Sequence, residues 1–149
     1  MQLNGIAHIQ LTVSSFEACA RFYKPLMELF EMSLVFDDDD VKYWVGGRTA
    51  VAITRCAERY RGERFAQDRV GLHHVCFRAR SREDVDRVFA LVQGLGASIV
   101  YPPREGPWAP GYYSVLFEDP DGIRLEVNHV PGKGNLDPLI QLPIPRPLP

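Results

Sequence analysis

His8, His74 and Glu126 are the residues of this 149-residue chain whose types and spacing could do chemistry together. Two neutral imidazole nitrogens and one carboxylate oxygen suit a single divalent ion, Fe, Mn, Ni, Co or Zn, and leave coordination positions open for a substrate. Taken singly, each has a plainer role, as a hydrogen-bonded strand imidazole or a surface carboxylate. Position favours the joint reading. Ile6-Ala-His8-Ile-Gln-Leu-Thr-Val13 and Leu72-His-His74-Val-Cys-Phe-Arg-Ala79 read as one strand written twice, offset by 74 − 8 = 66 residues. Carried forward, that offset lays Ser15-Phe-Glu-Ala-Cys-Ala-Arg21 over Ser81-Arg-Glu-Asp-Val-Asp-Arg87, matching Ser, Glu and Arg. An internal repeat sets the architecture, and two equivalent histidines related by a pseudo-twofold axis would share one ion.

The elements that must position these residues follow from periodicity. Ile9, Leu11 and Val13 alternate with His8, Gln10 and Thr12, the pattern of a half-buried strand. Ser14-Ser15 supplies an N-cap, and Phe16, Cys19, Ala20 and Tyr23 follow at helical spacing, with Pro25 expected to kink or end the helix nearby. Two short strands flank Asp37-Asp-Asp-Asp40, a solvated hairpin tip rather than a calcium loop, because it lacks the Gly and distal Glu. A strand over 49–55 completes the unit. In the second copy Ser81 caps a helix with Asp84 in the reciprocal place, and Val85, Val88, Phe89 and Val92 make an i, i+3, i+4, i+7 stripe that Gly94 and Gly96 end. Strands over 97–101, 112–118 and 123–129 follow, with a proline-rich loop over 102–111 and the turn Asp119-Pro-Asp-Gly122 between them.

Face parity nominates further groups. Arg124, Glu126 and Asn128 share one face of the closing strand, and His74, Cys76 and Arg78 one face of the middle strand; helices claim the apolar faces. Gln10, Arg78, Arg124 and Asn128 are the polar candidates for substrate contact, with Trp108 and Tyr112 on the adjoining loop as a wall for an apolar or aromatic body. Glu126, Tyr113 and Glu105 are the candidate catalytic groups, Glu105 as general base where the loop folds inward. His73 points away from His74 and is read as structural; His129 lies off the Glu126 face.

Composition narrows the function classes. Hydrophobic residues make up 46%, enough for a sizeable core, and the formal charge of −2 gives no basic field for nucleic acid. Five arginines between Arg55 and Arg69 are interleaved with Glu58, Glu63 and Asp68, a solvated mixed-charge linker. Three cysteines without close spacing suggest neither a disulfide framework nor a zinc ribbon, and no apolar run approaches a membrane span. A soluble cytoplasmic protein is expected. From Pro131 six prolines in nineteen residues predict an extended tail that packs on the body or on a second subunit.

The pairing of Gly5-Ile-Ala-His8-Ile with Gly71-Leu-His-His74-Val, and above all Ala109-Pro-Gly-Tyr-Tyr-Ser-Val-Leu-Phe-Glu-Asp-Pro-Asp-Gly-Ile-Arg-Leu-Glu126-Val, resembles the vicinal oxygen chelate superfamily of glyoxalases, bleomycin-resistance proteins, epimerases and ring-cleaving dioxygenases. The resemblance implies an α+β fold. Two tandem βαβββ modules would form a cupped half-barrel, helices outside, around one divalent metal ion, often completed by a homodimer. The chain 1–149 is then one domain, with module one over 5–56, a linker over 57–70, module two over 71–130 and the tail over 131–149. His8, His74 and Glu126 fall on the family's metal positions. Aligning Ala50-Val-Ala-Ile-Thr54 with Gly122-Ile-Arg-Leu-Glu126 puts Thr54 where glyoxalase I carries a glutamate, so a three-ligand site is implied. Three-ligand members usually present a tyrosine ten residues before the glutamate, and that place holds Leu116, which leaves this acid absent or relocated. The implied function is a metal-dependent lyase, isomerase or dioxygenase on a small molecule with adjacent oxygens. The alternative is a protein that binds a small ligand without turnover.

Overall fold

A computed structural model describes residue 3 and residues 5–132. The chain divides into two compact units: 1–66 with 119–123, and 67–118 with 124–149. The expectations for the proline-rich tail beyond Gly132 lie outside the described residues.

The first unit contains β1 (His8–Val13), α1 (Phe16–Leu29), β2 (Ser33–Asp37), β3 (Val41–Gly46) and β4 (Thr49–Arg55), followed by a single 3-10 turn at Glu58–Tyr60. Its sheet order is β1-β4-β3-β2, with β1 parallel to β4 and the other pairs antiparallel. The second unit contains β5 (Val75–Arg78), α2 (Arg82–Gly94), β6 (Ser98–Glu105), β7 (Tyr113–Glu118) and β8 (Arg124–His129), in the order β5-β8-β7-β6 with the same sense of pairing. The repeat read from the letters is a repeat of topology. Each unit is a βαβββ module, and the fold is the α+β one expected.

Each helix buries one stripe on its sheet. Phe16, Cys19, Phe22, Tyr23, Leu26 and Met27 of α1 are buried, as are Val85, Val88 and Val92 of α2. Pro25 neither ends nor shortens α1, contrary to expectation, for the helix runs four residues beyond it to Leu29. An interior proline costs roughly 3 kcal/mol, but Leu26 and Met27 lie fully buried past it, and each such side chain contributes roughly 1.5–3 kcal/mol that ending the helix would forfeit.

The helix ends show what the two copies share and what they do not. α2 starts with the expected capping box, Ser81 and Asp84 exchanging bonds of 3.1 Å each. In α1 the Ser15 side chain makes no cap bond; the carboxylate of Asp121, in the turn grouped with this unit, accepts from the backbone N–H of both Ser14 and Ser15. At the C-terminal ends the N–H of Met32 reaches the carbonyl of Met27, and that of Ala97 the carbonyl of Val92, both at 2.9 Å. Such closures place one residue left-handed, which Gly96 does at φ +73° and Glu31 at φ +57°.

One strand is longer than its sequence suggests. β6 runs through Pro102 and Pro103 to Glu105, although these residues read as loop. As the outermost strand of its sheet among the described residues, bonded there only to β7, it can accept prolines that have no N–H to donate, and its register slips between Tyr101 and Arg104. No helix of the described residues is long and apolar enough to cross a membrane.

Candidate functional site

The candidate site of the second unit is built on the sheet face opposite α2. β8 alternates, so Leu125 and Val127 go to the core while Arg124, Glu126 and Asn128 share the other face. Cross-strand partners extend that face: Cys76 and Leu116 stand beside Glu126, Arg78 and Ser114 beside Asn128, and Tyr101 beside Leu116.

Glu126 is the centre of this face. It is buried at 5% exposure, yet its carboxylate is well supplied with donors. Nε2 of His74 lies 3.2 Å from one oxygen, and the hydroxyls of Tyr112 and Tyr101 donate to the other at 2.6 and 3.3 Å. Burial alone would raise the carboxyl pKa; the hydrogen bonds of His74, Tyr112 and Ser114 outweigh it and hold the group below the ordinary carboxylate range. Glu126 is therefore ionised at neutral pH. Tyr112, in turn, is pushed well above the usual tyrosine range by burial and by Glu126, and stays a donor.

His73 is a correction to the sequence reading. It precedes β5, where strand alternation does not apply, and its Nδ1 comes within 2.8 Å of Nδ1 of His74, the two rings edge to face. One Nδ1 must carry the shared hydrogen. With it on His73, Nδ1 of His74 accepts and Nε2 carries the hydrogen that faces the Glu126 oxygen, so His73 sets the tautomer in which His74 donates to Glu126.

Other expected residues are placed as follows. Asn128 is buried on the Glu126 face, Arg124 binds Glu118 at 3.3 Å beside it, and Arg78 donates to the carbonyls of Val130 and Gly132 at 3.0 and 2.6 Å. Trp108 and Tyr112 are neighbours, since a Cβ on Gly106 would lie 3.0 Å from one ring and 3.2 Å from the other. Tyr113 and Glu105 are not brought to Glu126. The Tyr113 hydroxyl donates 2.8 Å to Asp86 of α2, and Arg82 of α2 covers its ring and pairs with Glu105 at 2.9 Å. Parity could have excluded Tyr113, because it shares the face of Val115 and Phe117. Tyr101 was missed for want of the β6 register, whereas Ser114 could have been found by parity, since it alternates with Tyr113 and Val115.

In the first unit His8 is exposed at the start of β1, its ring 6.5 Å from that of Tyr43, and Gln10 donates 2.6 Å to the Thr54 hydroxyl. Register changes the residue expected at the missing acidic position. Cys76 pairs with Glu126, and its repeat partner Gln10 pairs with Ala52; Thr54 answers to Asn128 instead. No carboxylate stands at either place.

Family models and relatives agree with this architecture. The model of the Glyoxalase/Bleomycin resistance protein/Dioxygenase superfamily matches residues 5–127. The chain belongs to that superfamily. It is 30% identical over 122 residues to the Bacillus subtilis protein YqjT, covering 80% of this chain and 94% of that one. Among solved structures, a proposed glyoxalase from Bacillus halodurans superposes with a TM-score of 0.74 at 26% identity, over 85% of this chain and 96% of the other. The fosfomycin resistance protein FosX of Mesorhizobium loti gives 0.61 at 25%, over 87% and 94%. Lactoylglutathione lyase of Agrobacterium tumefaciens gives 0.62 at 22%, over 87% and 96%, a likeness of fold alone.

A divalent ion is typical of superfamily members, and the second unit can be tested for its fit. Two donors bound to one ion at about 2.0–2.1 Å stand roughly 3.0–3.4 Å apart, and His74 Nε2 and Glu126 Oε2 are separated by 3.2 Å. That separation serves the His74–Glu126 hydrogen bond and also lets the two groups act as neighbouring ligands once the hydrogen between them is displaced. Among the described residues no three His, Cys, Asp or Glu are gathered closely enough to hold an ion as they stand.

Proposed function

We propose that the protein is a divalent-metal-dependent enzyme of this superfamily, of the lyase, isomerase or ring-cleaving dioxygenase type, acting on a small organic molecule through two adjacent oxygens. The observation that carries the reading is the His74–Glu126 pair at ligand spacing, with a buried, ionised carboxylate whose second oxygen is held by Tyr112. His74 and Glu126 would hold the ion, Fe, Mn, Ni, Co or Zn, and the repeat nominates His8 as the third donor. When bound, the ion would polarise the substrate's adjacent oxygens and stabilise negative charge developing there.

The chain's own residues do the rest. Tyr112 and Tyr101 restrain Glu126 through Oε1, which leaves Oε2 directed at His74. His73 orients the His74 ring. Trp108 and Tyr112 give the substrate an apolar wall. The alanine that stands in register where module two has Glu126 offers no second acid, which disfavours a four-ligand site of the glyoxalase I type. A cytoplasmic homodimer belongs to the same proposal, and its dimeric state is read by solution mass.

Elemental analysis tests the reading. Protein purified without chelator is expected to carry about one divalent ion per chain, lost in His74→Ala and Glu126→Gln. The second reading, a protein that binds without turnover, is favoured by the lack of a gathered three-donor group among the described residues. Metal-free protein that still binds an aromatic ligand would establish it.

A further inference from the structure

We infer that the substrate of this site carries a carboxylate and that Arg104 is the residue that reads its charge. The inference rests on the proposed chelating function and names the substrate class within it. Its basis is the irregularity in β6. Tyr101 pairs with Leu116 and Arg104 with Ser114, so three steps along β6 match two along β7. In a regular strand residues three apart face opposite sides. The extra residue cancels that alternation and returns Arg104 to the side of Tyr101, which is the side of Glu126. Glu105, the next residue, turns to α2 and pairs with Arg82 at 2.9 Å.

The result is a guanidinium laid on the ring of Tyr101, 3.9 Å from its centre, and that ring's hydroxyl donates to Glu126 at 3.3 Å. One aromatic ring therefore links the cation to the proposed ligand. Contact with the ring holds the guanidinium in place and leaves N–H donors for a planar anion, which a carboxylate matches with two parallel bonds. Among the described residues Arg104 meets no carboxylate, whereas Arg124, on the same face, is paired with Glu118. Glu126 is itself engaged by His74 and two tyrosines, so the one uncompensated cation beside the site is Arg104 among the described residues with a place on this face and no backbone partner; Arg78 is tied to two carbonyls. Trp108, 37% exposed, borders Gly106 as Tyr112 does, and would cover the flat part of such a molecule.

Paired probes that differ only in charge test this. 3,4-Dihydroxybenzoate and 3,4-dihydroxybenzamide share the adjacent oxygens, and so do the phenylacetate and phenylacetamide homologues. Titrated calorimetrically into Zn(II)-loaded protein, at least one acid is expected to bind about tenfold more tightly than its amide, a gap of about 1.4 kcal/mol. Arg104→Ala should abolish the gap by weakening the acid alone, and Arg104→Lys should keep part of it. Equal binding of acid and amide by the wild type, or a preference that survives Arg104→Ala, overturns the role of Arg104 while leaving chelation standing. Binding of none of the four overturns the chelating function and this inference with it.

Discussion

Tyr112 donates its hydroxyl to Oε1 of Glu126 across 2.6 Å, from a position fourteen residues earlier in the chain, while Leu116, ten residues earlier, stands directly across the strand pair. The hydroxyl nearest this carboxylate thus comes from the loop that enters β7 and not from residue 116. Tyr112→Phe should lower the affinity for Zn(II) or Co(II) about 10–100-fold, the usual cost of losing a partner that orients a ligand. Tyr113→Phe should leave it unchanged, because that hydroxyl serves Asp86. A competition titration with a chromogenic chelator measures both.

Asp121 caps a helix remote from it in sequence. Asp121→Ala leaves the backbone N–H groups of Ser14 and Ser15 without acceptors and should destabilise the protein by about 1–3 kcal/mol. Ser15→Ala should be nearly neutral, since that side chain makes no cap bond, whereas Ser81→Ala should cost about 1 kcal/mol. Urea denaturation of the three variants checks the order.

Glu31 occupies the left-handed position that the matching helix closure of the second unit fills with Gly96. Because only glycine adopts that conformation without a Cβ penalty, Glu31→Gly should stabilise the protein by about 1 kcal/mol, and Gly96→Glu should destabilise it similarly. Thermal unfolding of both variants would show shifts of opposite sign.

Asp119 is buried, accepts from the N–H groups of Asp121 and Ile123 and from Tyr23, and has its carboxyl pushed up to about 6 by burial, against an ordinary 3.8. A folded-state value above the unfolded one gives stability that is full below about pH 4 and is lost as pH rises through about 6. The amplitude is about 3 kcal/mol at 1.36 kcal/mol per unit. Measured in urea at pH 4 and pH 7.5, the stability of the wild type relative to Asp119→Asn should therefore fall with rising pH. A flat difference would refute it.

Much of the fold was legible because it rests on local patterns. Period-two alternation, helical stripes, the Ser81–Asp84 box and the offset that pairs His8 with His74 are all properties of short windows, and the topology repeats as they do. The pairing of His74 with Glu126 was legible for the same reason, each lying on a polar face of its segment. Pro25 and Pro102 misled because local breaking tendencies are outweighed by buried neighbours in one case and permitted by an outer strand in the other.

What the sequence alone determined is the order of elements, their inward faces and the residue types offered for metal and substrate. Tertiary structure decided which of those residues meet: Tyr112 rather than Tyr113, His73 beside His74, Ala52 rather than Thr54 in register, and Arg104 returned to the site by one extra residue. The reason is that strand register and bulges have no local signature. A shift of one residue reverses every side chain beyond it, and only pairing with a distant strand sets that shift.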